Sequence, residues 1–290
     1  KEAPLDIGVV QGSALGPTMW NIFFAPVFDA TENNIGFADD LNIMASNLNE
    51  LEAAKRQTLA ACEAARITME PAKEQLTLFF PPRHPNREPQ KTTRVVGILL
   101  DQDLKMEEHI SSAIKKARVA KTRLVRLKPY CNQNQLLSMF KTMVWSILEC
   151  GNICYSHASE SSLHKLERFQ RTTLRMLGLE NQVVESLSNR RTVAHASMLY
   201  KQCILKKGPS FIRDEFPTTP TDPRAHLRRS STRKHLHQLH LPSGRTNLAR
   251  FNQFLSPIKK FNELPPELFP DRENNLCDFQ RNICTFLHSH

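Results

Sequence analysis

Gly36-Phe37-Ala38-Asp39-Asp40-Leu41-Asn42-Ile43-Met44 sets two adjacent carboxylates between short apolar runs. Asn34 to Ala38, small or β-favouring, lead in, and Leu41, Ile43 and Met44 lead out, which predicts a hairpin with the acidic pair at its tip. Neighbouring anions repel, and a rigid apolar hairpin carries them at lower cost if a divalent cation neutralises them. Hard carboxylate oxygens suit Mg²⁺ or Mn²⁺. An ordinary polar turn has the same composition, so the flanking sequence decides between the two.

The 290 residues suffice for two modest domains with a real core. No run of about 18 apolar residues is present, so no membrane span is expected. Lys1 to Val10 lacks the apolar centre of a signal peptide, and position 1 is not Met; the expectation is a chain that starts inside a longer protein. Seven cysteines, an odd number without secretory context, read as reduced thiols. Cys150 and Cys154 fall in an apolar stretch and are expected in the core.

Charge is unevenly placed. The total is +10, but residues 1–80 carry −6 and residues 81–290 carry +16. An acidic front followed by a basic remainder suits metal binding followed by a grip on phosphate.

Upstream of the acidic hairpin lies Gln11-Gly12-Ser13-Ala14-Leu15-Gly16-Pro17. Together with Phe37-Ala38-Asp39-Asp40 it resembles the reverse transcriptases, in particular those of non-LTR retrotransposons. The resemblance implies that Gln11, Gly12 and Ser13 open the palm helix beneath template and incoming nucleotide, with Phe37 on the same side. It also implies that Asp39 and Asp40 are catalytic metal ligands. Met69-Glu70-Pro71-Ala72-Lys73-Glu74-Gln75 is similar to the family's Asn-Pro-x-Lys-Thr segment, with Glu70 and Glu74 departing from it. Lys73 then corresponds to the lysine that assists proton transfer to the departing pyrophosphate, and Leu76 to Phe80 to a palm strand. Arg94 to Asp101, continued by Leu104 to Ile110, resembles the hairpin that holds the primer end, which makes Val96, Gly97 and Ile98 the primer grip.

The remaining periodicities are helical. A helix from about Ala14 to Asp29 is expected to bury Leu15, Met19, Ile22, Phe23 and Pro26. Asn49 with Glu52 reads as a capping box, with Leu51, Ala54, Thr58, Cys62 and Ala65 on the inner face. His109 to Lys128 places Ile110, Ile114, Ala117, Leu124 and Leu127 on one side. Lys115, Lys116, Arg118, Lys121, Arg123, Arg126 and Lys128 give seven bases without an acid in fourteen residues, the pattern of a thumb helix on a nucleic-acid backbone. Asn134 to Tyr155 is apolar nearly all round and reads as buried. Ser162 to Leu179 is amphipathic, with Lys165, Arg168, Arg171 and Arg175 outward. Pro209 to Pro223 reads as a linker, and Arg224 to Arg250 as a basic, His-rich surface. Cys277, Cys284, His288 and His290 match none of the usual zinc spacings. Phe261-Asn262-Glu263-Leu264-Pro265 resembles the Trp-Asn-x-Leu-Pro ending of many such elements, implying a nearly intact C-terminus.

The expected fold is α+β: a partial polymerase palm (mixed β-sheet with helices) over residues 1–108, then an all-helical thumb and connection over 109–180. Residues 181–290 are expected to form a basic C-terminal region, partly linker. The expected partners are an RNA template, a DNA primer and dNTP, in the nucleus by family resemblance. In the resembled family a further Asp on an earlier palm strand bridges the two metals, and Asp6 lies too close to Gln11 to replace it. The fingers are missing too. The sequence therefore reads as a fragment of an RNA-directed DNA polymerase, inactive alone; the alternative is a non-catalytic nucleic-acid-binding remnant or a pseudogene product.

Overall fold

The structure is a computed structural model and describes residues 12–79, 92–180, 184–208, 237–239, 252–270 and 275–289. The fold is α+β, and the chain divides into two compact units, Lys1–Gln102 and Asp103–His290.

The first unit opens with α1 (Gly16–Phe28), which has Pro17 in its first turn, where no amide hydrogen is missed. Its apolar residues surround the helix, so periodicity alone does not give the buried side. Leu15, Met19, Ile22 and Phe23 are exposed, and so is Pro26. The buried face is instead Phe24 and Val27, flanked by Trp20 and Phe28. The expected face was wrong because a helix with surplus apolar residues takes its phase from its partner.

That partner is α2 (Leu48–Ala64), which contributes Thr58 and Cys62. Its N-cap is Asn47 rather than Asn49: Asn47 Oδ1 accepts from the Glu50 amide at 2.9 Å, and Glu50 accepts from the Ser46 amide at 3.0 Å. The sequence repeats the same Asn-x-x-Glu spacing two residues apart, and the earlier pair leaves two more residues inside the helix.

Between the helices, β1 (Asn34–Phe37) and β2 (Asp40–Ile43) form an antiparallel hairpin. A second hairpin pairs β3 (Thr92–Val95) with β4 (Ile98–Asp101). Leu76 to Phe79 form no strand, and Phe80 lies outside the described residues. A strand needs a neighbour for its backbone groups, and no described strand pairs with this segment.

Among its described residues the second unit is helical. α3 (Glu107–Leu127) buries His109, Ile110, Ala113, Ala117, Ala120 and Leu124, while Leu127 is exposed. The expected Asn134–Tyr155 helix is broken. α4 (Gln133–Phe140) starts on a full Asn132/Gln135 capping box, then widens to π-helical turns over Lys141–Trp145. The short α5 (Ser146–Leu148) and α6 (Asn152–Tyr155) follow, parted by Gly151 at φ 71°. The break leaves Leu136, Phe140, Val144, Trp145, Leu148 and Tyr155 buried but turns Cys150 and Cys154 outward, against expectation. α7 (Glu160–Leu177) ends at Gly178 in the left-handed region, with the Leu179 amide returning to the Leu174 carbonyl.

α8 (Leu187–Leu199) runs into a π-helical turn over Tyr200–Ile204 and packs against α9 (Asn252–Asn262) and α10 (Leu276–Ser289). Leu199, Tyr200, Leu239, Ile258, Phe261, Leu264, Leu268, Phe279 and Ile283 form their common core. Phe261-Asn262, singled out by its resemblance, has a structural role here. Asn262 Oδ1 accepts from the Leu239 amide and its Nδ2 donates to the Leu239 carbonyl, both at 2.9 Å, so the side chain pairs like a strand.

Candidate functional site

The acidic hairpin turns in two residues, Ala38 and Asp39, with Phe37 paired to Asp40. Ala38 has φ 54°, a left-handed conformation unusual for a residue with a Cβ. Trp20 offsets that strain from below, because its indole Nε1 donates to the Ala38 carbonyl at 3.0 Å. Trp20 in turn stacks on Phe24 with centroids 5.1 Å apart, so the tip of the hairpin is tied to the core of the unit. At the other end, Asn34 Nδ2 reaches the carbonyls of Phe28 (2.5 Å) and Thr31 (2.7 Å) and closes the connection from α1.

Strand alternation then sorts the side chains. Leu41 packs into the helix-facing core, so Gly36, its direct partner in register, lies on the same face. A Cβ on Gly36 would fall within the Phe28 ring, which explains why a glycine stands there. Ile35, Phe37 and Asp40 occupy the opposite face, away from α1 and α2. Phe37 is 63% exposed, and Asp39 and Asp40 are both exposed.

Neither carboxylate has a Lys or Arg within ion-pair distance among the described residues. Two free, hard, adjacent oxygen donors fit Mg²⁺, which commonly takes one or two protein carboxylates and completes its shell with water and substrate phosphate. No group of three metal-ligating side chains gathers among the described residues, so a cation held here would take only part of its shell from the pair.

The other expected site residues of this unit are dispersed along it. Gly12 (φ 88°) has open space where a Cβ would stand, and Ser13 Oγ accepts from the Leu15 amide at 3.3 Å; Gln11 lies outside the described residues. Lys73 closes an exposed 3₁₀ turn over Pro71–Lys73 and makes no ion pair with Asp39 or Asp40. Beside it, Glu74 pairs with Lys55 of α2 at 2.5 Å, which gives this departure from the family segment a structural role. Val96 and Gly97 form the tip of the second hairpin at φ 48° and 84°, and Ile98 begins β4. Both central residues at positive φ match the two-residue turn whose twist suits a hairpin; for a β-branched Val that conformation is strained.

In the second unit α3 keeps Lys115, Lys116, Arg118, Arg123 and Arg126 exposed, none with an ion-pair partner among the described residues. The other two bases are engaged by α7 (Glu160–Leu177). Lys121 Nζ lies 5.6 Å over the Phe169 ring, and Lys128 Nζ donates to the Met176 carbonyl at 3.0 Å. Both contacts reach α7, whose Lys165, Arg168, Arg171 and Arg175 are exposed. The basic surface thus extends over two packed helices, a breadth that reading α3 alone understates. Its signal in the sequence was the outward basic face of α7.

Residues 2–180 match a family model described as "Reverse transcriptase (RNA-dependent DNA polymerase)". Neither curated proteins nor solved structures give a significant match. The matched residues are more than half of the chain and take in the carboxylate hairpin, the second hairpin, α3 and α7; this protein belongs to the reverse transcriptase family, the RNA-dependent DNA polymerases.

Proposed function

We propose that the chain is the palm and thumb part of a non-LTR retrotransposon reverse transcriptase, with Asp39 and Asp40 as its metal-binding carboxylates. The observation that carries this reading is the free carboxylate pair on a hairpin tip anchored by Trp20. When bound there, Mg²⁺ (or Mn²⁺) supplies activation of the primer 3′-hydroxyl and neutralisation of triphosphate charge.

The chain's own residues do the rest. Asp39 and Asp40 present oxygens at a fixed place, and the exposed Phe37 ring beside Asp40 offers an apolar platform to the incoming nucleotide. Gly12, with nothing near its missing Cβ, lets a template or nucleotide approach the backbone. The Val96-Gly97-Ile98 tip bears on the primer end, and Lys73 gives a proton to the departing pyrophosphate. Lys115, Lys116, Arg118, Arg123 and Arg126 neutralise backbone phosphates, with Lys121 braced on Phe169 among them.

Two carboxylates make an incomplete two-metal centre, so the chain alone binds primer–template without extending it. The test joins it to the fingers and first palm strand of a related reverse transcriptase and measures primer extension on an RNA template. Asp39→Ala is expected to cost well beyond the roughly 10–100-fold typical of losing an outer-shell metal partner. Extension that survives the substitution overturns the assignment.

A further inference from the structure

The second unit contains a cavity of about 120 Å³ that no step of polymerisation uses. One face of α8 forms a wall, with Ser188, Arg191, Thr192 and His195 at helical spacing. Ser156 and His157 close it after α6, Leu163 from α7, and Pro257, Lys260, Phe261 and Leu264 from α9 and the residue pair beyond it. The volume holds about four waters at ~30 Å³ each, enough for a tetrahedral oxyanion but too little for a nucleoside.

The lining is cationic. It holds Arg191, Lys260 and three hydroxyls, with no carboxylate among the described residues. The Arg191 side chain is only 9% exposed, and its Nη1, closed off from solvent, has no hydrogen-bond partner among the described residues. It is therefore the guanidinium charge, rather than that N–H, that acts on the cavity. Glu167 is 3.7 Å from Arg191 Nη2 and also accepts from the Ser188 amide at 2.7 Å and the Leu187 amide at 3.3 Å. Tyr155 gives its hydroxyl hydrogen to the Leu148 carbonyl, and its oxygen is hydrogen-bonded to the Arg191 side chain. His195 donates from Nδ1 to the Arg191 carbonyl at 2.9 Å, which leaves Nε2 facing Ser156 Oγ at 3.0 Å.

We propose that this cavity is a phosphate-class oxyanion site in which Arg191 and Lys260 supply charge and Ser188 supplies a hydroxyl, the Thr192 hydroxyl being held by the Ser188 carbonyl at 3.1 Å. The same chemistry is offered by free phosphate and by one backbone phosphate of a nucleic acid. The site is independent of Asp39 and Asp40, so it stands or falls separately from the polymerase assignment.

The test titrates the full chain with inorganic phosphate at constant ionic strength, followed by thermal shift and by ³¹P NMR line width. A saturable response is expected, weakened about tenfold in Lys260→Gln, the loss of one charge-assisted contact. Lys260 is exposed, so this variant keeps the fold, and Ser188→Ala, at another exposed lining residue, gives a second, milder weakening. Competition between phosphate and a short single-stranded oligonucleotide, lost in Lys260→Gln, identifies a backbone phosphate; saturable binding without competition identifies the free anion. A response equalled by chloride, or unchanged in both variants, overturns the proposal.

Discussion

Gly36 shows how one residue positions the acidic pair. It lies beneath the Phe28 ring, itself edge-on to Phe24 at 4.8 Å, so an added methyl must displace a packed aromatic. Gly36→Ala is expected to destabilise the first unit by about 1–3 kcal/mol, the usual cost of overpacking, measurable by urea unfolding. The cysteines give a second residue-scale check. Burial pushes the Cys203 thiol up to about 11 and raises that of Cys154 as well, whereas Cys150 and Cys277 are exposed. In a mass-spectrometric alkylation time course at neutral pH Cys150 and Cys277 react first, and Cys203 and the buried Cys62 last.

His195 links a residue to pH. Burial lowers its pKa from 6.5, opposed by the Arg191 carbonyl and reinforced by the Lys260 and Arg191 charges. A histidine harder to protonate folded than unfolded favours the folded state fully above its unfolded pKa. Stability of the second unit therefore falls as pH drops below about 6.5, and thermal melts between pH 7 and 5 are expected to flatten in His195→Gln.

At the scale of elements, the sequence was legible wherever local chemistry acts alone. The acidic turn, the length of α3 and the outward bases of α7 follow from short-range pattern, whereas the hairpin over Thr92–Asp101 was expected only by resemblance. It failed where a partner decides. α1 carries apolar residues all round, and only the packing of α2 selects Phe24 and Val27 over Ile22 and Phe23. The apolar run around Cys150 hid a break at Gly151, because the π-helical turns before it shift the phase that a regular helix would keep. Of the candidate site, the carboxylates and bases were readable as residue types. Trp20 under the turn and Phe28 over Gly36 were not, since both contacts join a helix to a hairpin and depend on how the two pack.

The basic face of α3 also belongs to this scale. Each exposed base that neutralises a phosphate releases a counterion, so Lys115→Gln with Lys116→Gln is expected to lower the log–log salt slope of primer–template binding by about 2. Fluorescence anisotropy across a salt series measures it, and an unchanged slope would place the nucleic acid elsewhere. Lys121→Gln is expected to act differently, loosening the contact with Phe169 as well as weakening binding.

At the scale of the molecule, the family match ends at residue 180, but the second unit continues through α10. Tyr200 stacks on Phe279 with centroids 4.1 Å apart, and Phe261, Phe269 and Ile283 complete that core. Arg190 joins it to the helices that precede α7, gripping Glu149 with both ends of its guanidinium while lying 4.1 Å over the Trp145 ring. Trp145 donates to Gln170 at 2.6 Å, and Gln170 donates to the Glu185 carbonyl at 2.8 Å. Removal of residues 252–289 is accordingly expected to abolish a cooperative melt of the second unit.

The carboxylate hairpin remains the centre of the functional reading, and Mn²⁺, as a paramagnetic substitute for Mg²⁺, reports on it directly. The measurement is amide broadening across the chain during a Mn²⁺ titration, for the native sequence and for Asp39→Asn with Asp40→Asn. The expected result is selective broadening around residues 36–43 that the double substitution removes. Broadening that persists in the double variant, or that never centres on the hairpin, would contradict the assignment of Asp39 and Asp40 as metal ligands.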